Sequence, residues 1–181
     1  MTFRSLSEVV INGSTQATEF HYLNPPATEH IESAVNGIAL SPVSTGSKRL
    51  FYSPMSSFST FELPTSILRK EILANEANVE QYYREYAGKY SQTDGMVMDA
   101  EGNLYLGDVV HNSVSTFNPI QGQTVDDLRI LAQDNTTLIW ADTFSIDDAG
   151  YLYVTTRGWP LDKDRNFIVR FYIGVKSYLY G

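Results

Sequence analysis

Three stretches of this chain share one order of polar and apolar positions. The first runs from Asn36-Gly37-Ile38-Ala39-Leu40-Ser41 to Leu50-Phe51-Tyr52-Ser53. The second runs from Asp94-Gly95-Met96-Val97-Met98 to Leu104-Tyr105-Leu106-Gly107, and the third from Asp142-Thr143-Phe144-Ser145-Ile146 to Leu152-Tyr153-Val154-Thr155. Each opens on a polar residue, continues as an apolar strand, turns, and returns along a strand rich in aromatic and β-branched residues. The units open 58 and 48 residues apart, and a β unit recurring at this interval, near the roughly 40–50 residues of a blade, has the spacing of propeller blades. Further strands are predicted over residues 3–11 and 18–23, with Asn12-Gly13 as the turn between them and Asn24-Pro25-Pro26 ending the unit. Others fall at 59–63, 113–117, 128–132, 137–140 and 166–173.

One helical segment is predicted near 65–75, opening after Pro64 with Thr65 or Ser66 as N-cap and Ile67, Leu68, Ile72 and Leu73 on its inner side. Residues 75–90 fit either a continued helix or a loop crossing. The fold class expected is therefore all-β: a partial β-propeller of about three to three and a half four-stranded blades, in a single domain over 1–181. Closing a ring takes at least about four blades. Missing N-terminal blades, or self-association, would have to complete it, since an open arc exposes both end faces.

Composition narrows the partners. The net charge is −8 with no basic block, so nucleic acid is excluded as an expected partner. No apolar run is long enough for a membrane span or a signal peptide. There is no Cys, which removes disulfides, thiol catalysis and Cys-ligated zinc. Two sequons, at Asn12 and Asn135, lean toward secretion. His21, His30 and His111 stand without a second ligand at metal spacing, and no nucleophile elbow, phosphate loop or dinucleotide fingerprint occurs. No cofactor and no metal is expected.

Candidate chemistry follows from blade geometry. The innermost strand of each blade starts near the axis, so Asn36, Asp94 and Asp142-Thr143 are expected to face one channel mouth. Converging Asp and Asn oxygens suit a ligand ammonium group or a hard cation, or they merely cap strand starts. Asp99, Asp147 and Asp148 precede glycine turns and read as turn residues. Phe144, Thr156 and Trp159 complete the candidate ligand-binding set with Asp94, Asp142 and Thr143, while Trp140 reads as packing between blades. Ser53-Pro54-Met55-Ser56-Ser57 has nothing beside it to activate a serine and reads as structural.

Several long motifs carry a resemblance. Arg49-Leu50-Phe51-Tyr52-Ser53-Pro54-Met55-Ser56-Ser57, Leu63-Pro64-Thr65-Ser66-Ile67-Leu68-Arg69, the run from Leu138 to Asp147, Gly150 to Thr156, and the ending Lys176 to Tyr180 resemble the Yellow/major royal jelly protein family. The resemblance implies the C-terminal half of a six-bladed propeller, an extracellular protein, and an axial cavity holding a small aromatic molecule. Some members bind biogenic amines, and some insect members are linked to dopachrome conversion. Where insect members tend to read Thr-Ser-Asn-Arg, this chain has Thr155-Thr156-Arg157-Gly158. The pattern from Asp94 to Tyr105 is also similar to regucalcin and gluconolactonase propellers, which are metal-dependent lactone hydrolases. Three functions thus compete: a binding protein, a dopachrome-type isomerase using Asp142 or Asp94 as base, and a metal-dependent lactonase.

Overall fold

A computed structural model describes residues 19–23, 26–69, 82, 84–89, 91–158 and 164–180. Among them, three antiparallel sheets repeat one up-and-down order. The first comprises β3 (Val35–Leu40), β4 (Arg49–Pro54), β5 (Ser59–Pro64) and β6 (Arg84–Gly88); the second comprises β7 (Thr93–Met98), β8 (Leu104–Asp108), β9 (Ser113–Phe117) and β10 (Arg129–Gln133). The third has three strands, β11 (Ala141–Ile146), β12 (Tyr151–Arg157) and β13 (Asn166–Tyr172). A fourth sheet is the hairpin of β1 (Glu19–Leu23) and β2 (Pro26–His30). The three larger sheets are blades of a partial β-propeller, with β3, β7 and β11 innermost.

Facing sheets are joined by apolar clusters. Ala39 and Phe51 of the first blade pack with Met96, Met98, Leu104, Leu106 and Phe117 of the second. On the second blade's other face, Tyr105 and Val114 pack with Ala141, Ile146, Leu152 and Val154 of the third. Full burial of each large apolar side chain contributes about 1.5–3 kcal/mol, so these interfaces hold the arc together.

Close approach of the inner strands requires glycine. A Cβ on Gly95 would lie 1.6 Å from the Asp142 carbonyl oxygen, and one on Gly37 would lie 2.8 Å from the Asp94 carbonyl oxygen. The Asn-Gly and Asp-Gly pairs opening the first two units are thus packing devices: each glycine receives the backbone of the next inner strand.

Both ends of the arc carry extra structure. At the end where the inner strands start, the β1–β2 hairpin lays Phe20 and Tyr22 against Met55, Val109, Val110 and Trp140. Ser56 Oγ donates to the Ile31 carbonyl at 2.6 Å and accepts from the Ser33 amide, and Gln92 Nε2 donates to the Glu19 carbonyl at 2.8 Å. The Ser53–Ser57 segment therefore anchors this cap. At the opposite end, residues 173–177 run beneath the blades. Ile173 N donates to the Gly150 carbonyl, Ser177 N to Asp147, and Ala100 N to the Lys176 carbonyl. A 3-10 turn at Tyr178–Tyr180 follows.

Several expectations change. Pro26 begins a strand rather than ending a unit, because a first-position proline leaves the ladder intact. The predicted partner at 3–11 lies outside the described residues. The described helix is a single turn, Thr65–Leu68, with Pro64 at the N-cap and no side-chain cap; Thr65 Oγ1 donates instead to the Lys48 carbonyl. Residues 70–81 lie outside the described set. Arg84–Gly88, ambiguous in sequence, is a strand that pairs with β5. Residues 137–140, expected as a strand, form turns.

Candidate functional site at the axial mouth

The three inner strands share an irregularity that periodicity does not show. In each, one extra residue is inserted opposite the neighbouring strand: between Val35 and Gly37, between Thr93 and Met96, and between Ala141 and Phe144. A bulge turns local side chains out of the pleat. The inserted positions hold Asn36, Asp94-Gly95 and Asp142-Thr143, the polar openings of the repeated unit. These residues, with Ile38, Met96 and Phe144, line one cavity of about 340 Å³.

Asp94 is the most constrained of them. It is 7% exposed, and its Oδ2 accepts a 2.5 Å hydrogen bond from the Trp140 indole Nε1. Burial pushes its pKa up to about 6; the Asp142 charge adds to the rise, while hydrogen bonds from Trp140 and Asn36 and the Arg157 charge oppose it. Asp142 is half-buried and accepts a 3.1 Å hydrogen bond from Thr143 Oγ1. The Thr143 amide donates to Thr155 Oγ1, fixing the bulge to β12. The Asn36 amide also reaches Met55 Sδ at 3.7 Å.

Trp140 behaves as more than packing. It is buried, with a backbone φ of 50°, a conformation that costs a bulky residue of order 1–3 kcal/mol. Its ring stacks with Phe20 and Tyr22 at 6.5 Å centroid separations, and the Arg157 guanidinium lies 5.7 Å from its centroid. Strain is held where the cap, the third blade and the site carboxylate meet.

The structure brings Asn36, Asp94, Asp142, Thr143 and Phe144 to one cavity. Thr156 is elsewhere: it is 2% exposed and its hydroxyl donates to the Thr137 carbonyl at 2.8 Å. Trp159 lies outside the described residues. Asp99 and Asp147 are turn residues; Oδ1 of each accepts two backbone N–H groups, and Oδ2 accepts the hydroxyl of Tyr105 or Tyr153. His111 Nδ1 pairs with Asp108 Oδ2 at 2.7 Å, which raises its pKa. Sequence reasoning missed Ile38 and Met96 as cavity walls, and missed Trp140 as partner to Asp94. The indole bond spans 46 residues and leaves no local signal.

Comparison with solved structures supports the architecture. The chain superimposes on regucalcin, a calcium-binding protein from Agrobacterium tumefaciens, with a TM-score of 0.55 at 16% identity, covering 83% of this chain and 50% of that one. A luciferin-regenerating enzyme gives 0.53 at 16% identity, with the same coverage of 83% and 50%. Among curated proteins, Protein yellow of Drosophila melanogaster is 24% identical over 131 residues, as is Protein yellow of Drosophila simulans. That match covers 72% of this chain and 24% of the relative, so the chain spans about a quarter of the length of the curated relatives it matches. The major royal jelly protein family model matches residues 22–161, from the cap through all three inner strands, and the chain belongs to the major royal jelly protein family.

Proposed function

We propose that this arc binds a small cationic aromatic molecule at its axial mouth. The observation that carries the reading is the convergence of three bulged strand starts on one cavity, where Asp94 and Asp142 stand beside the Phe144 ring. Its volume of about 340 Å³ is in the range of small-molecule pockets. The two carboxylates supply charge for an ammonium group, and Phe144 supplies a face for stacking or cation–π contact worth about 0.5–2 kcal/mol. An extracellular location goes with the reading, through the family. The remaining axial wall comes from further blades, in a longer chain or in a second copy; a solution mass near twice 20.3 kDa would identify the second copy.

Titration calorimetry with phenethylamine tests the function. Binding that is weakened at least tenfold in Asp142→Asn supports it; no binding, or an unchanged affinity in that variant, removes it.

An isomerase reading draws on one observation. The raised pKa of Asp94 leaves that carboxyl poised for proton transfer near neutrality. The absorbance of a dopachrome solution, followed with wild type and Asp94→Asn, separates conversion from binding. The lactonase reading would take Asp94 and Asp142 as ligands and draw the others from further blades, since among the described residues no group of three or more His, Cys, Asp or Glu is placed to hold a metal; loss of activity on chelation would favour it.

A further inference from the structure

Below the axial mouth lies a second chamber of about 250 Å³. It shares Ile38, Met96 and Phe144 with the mouth, so the two spaces are consecutive lengths of one groove along the inner strands. Their chemistry differs sharply. Asp94 and Asp142 line the upper length, whereas no charged side chain lines the lower, whose further walls include Leu40 and Leu50 and whose floor is Tyr178. Ile38, at the junction, is 60% exposed, so its side chain is open to an occupant of the groove. Lys48 Nζ lies 5.7 Å from the Tyr178 ring centroid, which places positive charge at the floor. The groove is thus anionic at one end, apolar through its length and cationic beyond its floor.

We infer that the ligand of this groove is a cationic amphiphile, with an ammonium-bearing aromatic head at Asp94 and Asp142 and an apolar tail of about four carbons running past Ile38 to Tyr178. The inference rests on the binding reading above and names the ligand class more closely. Charge fixes the direction: the carboxylates attract the head, while Lys48 repels a head placed at the floor. The apolar chamber then favours a tail over a second polar group, because a buried polar group without partners is unfavourable.

The test is calorimetric titration of the full chain with phenethylamine and with 4-butylphenethylamine. Each buried methylene strengthens binding roughly fourfold at full burial, so the butyl compound is expected to bind about tenfold or more tightly in this partly open groove. Leu40→Trp, which fills the lower chamber, should cancel that gain while phenethylamine, seated above it, keeps its affinity. Equal affinities for the two amines overturn the inference and leave the binding reading in place. A gain that survives Leu40→Trp also overturns it, since the tail would then lie elsewhere. If Leu40→Trp binds neither amine, Tyr178→Ala decides: removal of the floor should shrink the gain, and an undiminished gain counts against the chamber. Failure of wild type to bind either amine removes the parent reading itself.

Discussion

Trp140 Nε1 donates to Asp94 Oδ2 at 2.5 Å, linking the turn before the third blade to the inner strand of the second. This bond holds the site carboxylate in place and ties it to the cap through the stacked Phe20 and Tyr22 rings. Trp140→Phe keeps the ring contacts and deletes the donor. The variant should lose about 1–3 kcal/mol in urea denaturation, the cost of a buried acceptor left without its partner. The Asp94 carboxyl, followed by NMR, should then titrate above its present value of about 6.

The same carboxyl sets a pH dependence. Its folded pKa of about 6 exceeds the ordinary 3.8, so between these values the folded state holds more protons than the unfolded state. Stability therefore falls as pH rises through that window, and Asp94→Asn should remove this part of the slope. Amine affinity should run the other way, increasing from pH 5 to 7 as Asp94 ionises, with a flatter profile in the variant. Denaturation midpoints and calorimetric affinities across pH 4–7.5 check both signs.

Lys89 gives a second, independent pH signature. It is 6% exposed, its Nζ donates to Ser53 Oγ at 2.7 Å and to the Pro54 carbonyl at 2.8 Å, and burial pulls its pKa down to about 7 against the opposing Asp108 charge. Between about 7 and the ordinary 10.5 the unfolded state binds more protons, so stability rises with pH across that window. Lys89→Met should lose that rise, and guanidinium midpoints compared at pH 6.5 and 9 will show whether it does.

Gly95 and Gly122 should respond differently to alanine. A Cβ at 95 meets the Asp142 backbone, which cannot swing aside, so Gly95→Ala should cost about 3 kcal/mol or more. Gly122 has a φ of 80° and open space around it, so its alanine variant should cost only the left-handed backbone penalty of about 1–2 kcal/mol. Thermal denaturation of the two variants distinguishes steric from conformational demand.

The repeated strand–turn–strand units were legible because their period and turn residues are local. Asn36, Asp94, Asp142, Thr143 and Phe144 could be placed together because equivalent positions in repeated units converge on an axis. Three matters were not legible. The bulges leave no composition signal, since an inserted Asn or Asp-Gly reads like any strand start. The cap is hidden because Pro26 has the character of a terminator, whereas its missing N–H falls at a first strand position that does not need one. The Trp140 contact and the Tyr178 floor depend on segments remote in sequence from the strands they touch.

That floor has a consequence in time. Residues 173–178 follow all three described blades in the chain and bind the turns beneath the second and third. During synthesis these three blades emerge before it, so the groove is open from below until residues 173–178 leave the ribosome. Its base is therefore laid after its walls, and a nascent chain halted before Tyr178 presents a groove without a floor.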